Sequence, residues 1–235
     1  MADSGTPSWA GTDGNDLCSP FLEQLPISGA AVSMFGGAAS ESLVCASDAV
    51  AARLDELQFD LGEGPRWDAL RRRLPVLVPD VRFPQPYSWP VFSKALLETE
   101  VAAIFVFPLT LGALDLGVVE LHHTERGGLS YADSTTAGVL ASQTAWHLLR
   151  RVLAVRSPDT DPAVEAPLMS RREIHQATGM VLAQAETTAA EALLLLRAHA
   201  FANSMTLRQA ADEVLQGRLS FVPGNGRRST KGGLK

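Results

Sequence analysis

The chain has 235 residues, 46% hydrophobic and 20% charged, with a net charge of −6. That length holds one large domain or two smaller ones, and the acidic balance excludes a protein that coats nucleic acid non-specifically, since such binding needs excess Lys and Arg. The longest apolar runs fall short of the roughly 18 residues that span a bilayer, and the start (MADSGTPSWAGTDGND) lacks the basic-then-apolar pattern of a signal peptide.

These features predict a soluble, cytoplasmic protein with no membrane association. Its two cysteines, Cys18 and Cys45, lie far apart and match no metal or redox spacing, so both are expected to be reduced.

Residues 1–16 are rich in Gly, Ser, Asp and Thr and are expected to be disordered. From about residue 17 to residue 155 the pattern is mixed α/β. Residues 27–35 form an apolar strand of small residues ending at Gly36-Gly37, and 42–46 a second, so the two read as a hairpin. Ser47 or Asp48 then caps a helix running towards Leu57. Residues 75–79 (PVLVP) read as a short buried strand and 101–108 (VAAIFVFP) as a longer one. A Gly112-Ala113 turn links the latter to a strand at 116–122 (LGVVELH), and Ser130 to Asp133 open a long helix ending near Val155. Hairpin connections dominate, which predicts an α+β domain with a mainly antiparallel sheet and flanking helices.

Residues 156–169 contain Pro158, Pro162 and Pro167 and read as a linker. Residues 170–219 read as three short helices, each opened by a capping box: Ser170 with Glu173, Thr188 with Glu191, and Thr206 with Gln209. Ile174, Ala177, Thr178, Val181 and Leu182 form the apolar stripe of the first helix, and Leu207, Ala210, Ala211, Val214 and Leu215 that of the third. The run Leu193 to Leu196 covers about half the circumference of the middle helix, which is therefore expected to be the most buried of the three. Residues 220–235 are Gly-rich and basic and are expected to be disordered.

The first of these helices has a second stripe, Arg172, Gln176, Gly179 and Ala183, off the core face. Glycine inside a helix costs about 1 kcal/mol relative to alanine, so its presence points to close approach of another body. That body is either a nucleic-acid backbone or a neighbouring helix.

The runs RREIHQATGMVLAQ, AEALLLLRAHAFA and LRQAADEVL together resemble the ANTAR domain, a three-helix RNA-binding module of bacterial transcription antiterminators. The family's opening Arg falls on Arg171, its A-x-G on Ala177 and Gly179, its LR-x-x-A on Leu196, Arg197 and Ala200, and its final Leu-x-x-x-Ala on Leu207 and Ala211. The resemblance implies recognition of RNA hairpins by a homodimer, with Arg171, Arg172, Gln176, Ala177, Thr178, Gly179, Arg197 and Arg208 as the contact residues. Thr178 and Met205 stand where many members carry basic residues.

Within residues 17–155, LGEGPRWDALRRRLPVLVPDV resembles the GAF domain, a fold that binds varied small ligands. Trp67, Phe83, Tyr87, Trp89 and Phe92 cluster around a proline-broken segment and either line a ligand pocket or cap one end of the sheet. His122 and His123 are adjacent on a strand, so they point to opposite faces and are not expected to chelate a metal together. Arg71 to Arg73 read as a solvated face, and Cys45 as inert core. In the long helix, Ala141, Ala145, Leu148, Val152 and Val155 follow either a dimer seam or a face packed on the sheet.

No catalytic signature, metal site or cofactor motif is found. The two resemblances together imply a homodimeric antitermination regulator with a sensory domain. Two alternatives remain: a DNA-binding regulator of helix-turn-helix type, and a sensor or partner-binding protein without nucleic-acid binding.

Overall fold

Hairpin turns and alternating apolar strands build the N-terminal unit of the computed structural model, which describes residues 17–36, 40–83, 89–155 and 171–222. The chain divides into two units between Ser170 and Arg171. In the first, a short helix α1 (Ser19–Gln24) leads into β1 (Gly29–Gly36) and β2 (Ser40–Ala46), followed by α2 (Ala49–Leu61), α3 (Pro65–Arg72), β3 (Val76–Val78) and α4 (Pro90–Leu96). The hairpin β4 (Ala103–Leu111) and β5 (Leu114–His123) and the long helix α5 (Tyr131–Val155) complete it. The five strands form one antiparallel sheet in the order β2-β1-β5-β4-β3. Gly112, at φ 56°, supplies the left-handed residue of the β4–β5 turn.

Each sheet face carries its own core. One buries Phe105, Phe107, Val119 and Leu121 with Phe21 of α1 and Ala137, Leu140, Ala141, Ala145 and Leu148 of α5. The other buries Ile104, Val106 and Val118 with Leu54 of α2, Ala69 of α3 and Phe92 and Leu96 of α4. This decides the two readings of α5: Ala141, Ala145 and Leu148 pack on their own sheet.

Asp48 caps α2 by accepting a bond from the Ala51 N–H at 2.8 Å. The helix runs four residues past Leu57 because the Leu61-Gly62-Glu63-Gly64-Pro65 segment sets its end. Gly62 closes it at φ 65°, and Gly64, at φ 128°, sits where a Cβ would collide with Gln58 Oε1. Pro65 then occupies the first turn of α3, and Glu63 Oε2 accepts from the Val91 and Phe92 N–H groups at 3.0 and 3.2 Å, capping α4. The sequence pattern marked this segment and a helical turn after it, where α3 lies, but left the six-residue α1 unassigned, too short to show a helical period.

The cysteines depart from expectation. Cys18 and Cys45 form a disulfide with a Cα–Cα distance of 6.2 Å, so Cys45 is neither inert nor reduced. A register shift between Val32 and Ser33 supplies the reason. Val32 pairs with Cys45 while Ser33 pairs with Leu43, leaving Val44 as the extra residue. Alternation would place Cys45 on the α2 face with Leu43. The bulge turns it to the opposite face, where Cys18 lies beside Phe21 in the same core.

The second unit contains α6 (Arg172–Ala185), α7 (Ala189–Ala202) and α8 (Leu207–Leu215), and every pair of these helices packs together. Its core is Ile174, Ala177, Val181, Ala192, Leu196, Leu207, Ala210, Ala211 and Val214. Thr188 with Glu191 and Thr206 with Gln209 make complete capping boxes. Ser170 lies outside the described residues, and Glu173 meets Arg208 of α8 at 3.3 Å. The expectation that α7 is the most buried helix is corrected. Of its four consecutive leucines only Leu196 is fully buried, and Leu194 is 63% exposed. Four consecutive residues sweep most of a helical turn, whereas the core admits only the Ala192–Leu196–Ala200 line.

Candidate functional site

On α6, burial separates two faces. Ile174, Ala177, Thr178 and Val181 point into the core, and the Thr178 hydroxyl donates to the Ile174 carbonyl at 2.7 Å. Arg172, Gln176, Gly179 and Ala183 are all exposed. A Cβ built on Gly179 meets nothing within 4 Å. No neighbouring helix among the described residues therefore requires glycine there, which removes intramolecular packing as its explanation.

The eight residues carried over from the family resemblance do not share one surface. Arg171, Ala177 and Thr178 are buried at 6%, 0% and 3% exposure. Arg208 is tied to Glu173 in a half-exposed ion pair, and Arg197 is half-buried on α7. Arg172, Gln176, Gly179 and Ala183 form an exposed line at the spacing the sequence predicted, beside Met180 and Leu182, which are exposed as well although Leu182 was expected in the core stripe.

The N-terminal aromatic residues are also dispersed. Phe92 is fully buried in the core beneath α2 and α3, and Trp89 packs against the same cluster. Trp67 is half-buried and donates its Nε1–H to the Gln58 carbonyl at 2.9 Å, while Phe83 is 67% exposed. Tyr87 lies outside the described residues.

A buried charge cluster beside these rings had no sequence signal. Arg66, in the first turn of α3, has no exposed surface. Its guanidinium pairs with Glu41 of β2 at 2.7 Å, with Glu120 of β5 at 2.8 Å, and with Asp55 of α2. Gln58 donates to Glu120 at 2.8 Å and accepts from the Arg66 N–H at 2.9 Å, and the Ser33 hydroxyl donates to Asp55. Burial alone would lower the guanidinium's pKa. The carboxylates of Asp55, Glu120 and Glu41 outweigh that and raise it above its ordinary value. The cluster thus pins α3 to α2 and to two strands that are not adjacent in the sheet.

His122 and His123 do face opposite ways. His122 is buried, with Nε2 3.4 Å from the Asp48 carboxylate, and His123 Nδ1 accepts from the Glu125 N–H. Burial pushes the Asp48 carboxyl up, but hydrogen bonds from His122, the Ala51 N–H and Ser47 outweigh it and hold the pKa at about 2. A folded-state pKa below the ordinary 3.8 means that this contribution is complete above that pH and is lost as pH falls through about 2. We expect protection of the Ala51 amide from hydrogen exchange to weaken over that window in the wild type. Asp48→Asn, which keeps the cap but does not titrate, should abolish this dependence; an unchanged pH profile in the variant would count against it.

Comparison with known proteins follows the division of the chain. A family model described as GAF domain matches residues 18–148, and one described as ANTAR domain matches residues 163–215. No curated protein matches the chain. Similar solved structures include the GAF domain of a two-component sensor histidine kinase from Bacillus halodurans, at 12% identity and TM-score 0.48, covering 62% of this chain and all of that one. A GAF domain from a phosphoenolpyruvate-protein phosphotransferase of Coxiella burnetii gives 15% identity and TM-score 0.47, covering 57% and 79%. A GAF domain/HD domain protein from Geobacter sulfurreducens gives 15% and 0.46, covering 59% and 90%. GAF domains are sensory and ANTAR domains are RNA-binding antitermination regulators, so the assembly is regulatory in kind.

Proposed function

We propose, from the premise that the chain belongs to the GAF domain family and carries an ANTAR domain behind it, that it is a cytoplasmic, homodimeric regulator that binds hairpins in nascent RNA and promotes transcriptional readthrough. The GAF domain is the sensory input, and a small molecule is its signal. Among the described residues no single helix is long and apolar enough to cross a membrane. Cys18 and Cys45 are 1% and 6% exposed, which slows exchange of the formed disulfide with a reductant, since exchange requires access to the sulfur.

The observation that carries this reading is the exposed Arg172–Gln176–Gly179–Ala183 stripe, with open space over Gly179. Arg172 supplies a cation for phosphate, Gln176 a donor and acceptor for base edges, and Gly179 lets a backbone come close. With a net charge of −6, affinity depends on this local placement rather than on the overall field.

Gel shifts with a two-hairpin RNA and a duplex DNA, across salt concentrations, test the proposal. RNA is expected to bind selectively. Gly179→Glu, which meets no neighbour in the module, should keep the helical circular dichroism and weaken RNA binding at least tenfold, about 1.4 kcal/mol. Selective duplex binding would replace RNA with DNA as the target, and binding to neither would leave a sensor without a nucleic-acid partner.

A further inference from the structure

Past α8 the chain turns back onto its own module. Gly217, at φ 71°, is the left-handed residue that ends the helix. Its N–H donates to the Val214 carbonyl at 3.0 Å, and the Arg218 N–H donates to the Glu213 carbonyl at 2.8 Å. These bonds reverse the chain and send residues 219–222 back towards α6 and α7. Phe221 anchors them: its N–H donates to Gln184 Oε1 of α6 at 2.9 Å, and its ring meets that of His199 on α7 edge-on, with centroids 6.0 Å apart. Gln184 adjoins Ala183, the last residue of the exposed Arg172–Gln176–Gly179–Ala183 line. The anchored segment therefore ends beside one end of that line. The line itself carries a single cation, Arg172. From residue 171 to residue 222 the chain has five arginines, no lysine and five acidic residues, so the module is neutral. Residues 223–235 carry Arg227, Arg228, Lys231 and Lys235 and no acidic side chain.

We infer that residues 223–235 are a second RNA-binding element: a basic arm, started at the Phe221 anchor, that binds the phosphates of the RNA lying on the α6 line. This rests on the RNA-binding reading and names the group that supplies the electrostatic part of the affinity. A neutral module gains little from the counterions that a nucleic acid releases on binding, whereas four cations that neutralise phosphates release about four. The reach fits. Arg227 stands five residues past Val222 and extends at most about 17 Å from it at about 3.4 Å per residue. The line from Ala183 back to Arg172 is about 16 Å long at 1.5 Å per residue. The anchor matters because a tether that starts beside the bound RNA holds the arm there at high effective concentration. The arm has no aromatic residue to stack on a base, so its contacts are to phosphate, and phosphate contacts carry no sequence information. The α6 line then discriminates between RNAs, and the arm strengthens binding to all of them equally.

The test compares the full chain with its variant Arg227→Gln/Arg228→Gln/Lys231→Gln/Lys235→Gln on the two-hairpin RNA and on the same RNA with altered loop sequences. At about 0.1 M salt the variant should bind both RNAs at least tenfold more weakly, by the same factor, and the slope of log affinity against log salt should flatten by about 3. Its circular dichroism should not change. A Gly-Ser spacer of about 20 residues inserted after Val222 keeps all four charges and should weaken binding several-fold, because effective concentration falls with tether length. A quadruple variant with wild-type affinity and salt slope overturns the arm and leaves the RNA-binding reading standing. A loss that differs between the two RNAs overturns the phosphate assignment, because the arm would then read bases. A spacer variant that binds like the wild type overturns the role of the Phe221 anchor. A wild-type chain that binds neither RNA overturns the RNA-binding reading and the arm with it.

Discussion

Replacing Arg66 with Met is expected to destabilise the GAF domain by about 3–5 kcal/mol, the cost of leaving buried charges without their counter-ion. Arg66 is the shared partner of Glu41, Asp55 and Glu120, whose side chains are 6%, 2% and 3% exposed. A marginally stable domain has only about 5–15 kcal/mol in total, so one substitution removes about a fifth of it or more. The methionine fills much of the same volume, so the loss reports electrostatics rather than a cavity. Unfolding in urea followed by tryptophan fluorescence measures it; a loss under 1 kcal/mol would mean that the cluster is not holding α3 in place.

The same variant carries its own internal control. Without the guanidinium the buried carboxyls favour their protonated forms, so the folded state binds more protons than the unfolded one. Its stability then falls as pH rises, and the deficit should shrink when pH is lowered from about 8 to about 5. Adding Asp55→Asn and Glu120→Gln to Arg66→Met should recover part of the loss at neutral pH, since neutral amides need no counter-ion.

Removing the disulfide is the second large effect. Cys18 and Cys45 close a loop with a sequence separation of 27, and the chain-entropy model assigns such a loop about 3–4 kcal/mol. For a domain of this size that corresponds to a fall of about 10 °C in melting temperature. The variant Cys18→Ala/Cys45→Ala should show this fall by calorimetry, with the midpoint of α6–α8 unaffected. Reductant alone should act slowly on the wild type, because both sulfurs are buried, and quickly once denaturant opens the domain. A double variant that melts within 3 °C of the wild type would show that α1 is held by its apolar contacts, chiefly Phe21, and not by the bridge.

Local rules accounted for a large part of this molecule. The capping boxes at Thr188 and Thr206, the Asp48 cap and the Gly112 turn each depend on residues within one turn of chain, and each appears where its chemistry places it. The polar stripe of α6 was legible for the same reason: periodicity alone separates Arg172, Gln176 and Gly179 from Ile174 and Val181. Leu193 to Leu196 misled because hydrophobicity without periodicity does not say which residues face inward.

What periodicity could not assign is which body a second apolar face meets. Ala141, Ala145 and Leu148 had the spacing of a seam, yet their own sheet covers them, and the face left over is Val139, Trp146 and Leu153.

By itself the amino-acid sequence determined the strands, the starts of α2, α5, α7 and α8 and the antiparallel pairing, because these follow from short-range patterns of residue type, while its resemblance to known families supplied the GAF–ANTAR order. Only the tertiary structure decided the pairing of Cys18 with Cys45 and the convergence of Arg66, Glu41, Asp55 and Glu120. The first depends on a single extra residue in β2 that reverses which face Cys45 occupies. The second brings together side chains from two helices and two strands, separated by up to 79 positions from Glu41 to Glu120. Charged residues so placed read as surface in any local window, and only the packing of α3 onto the sheet takes them out of water.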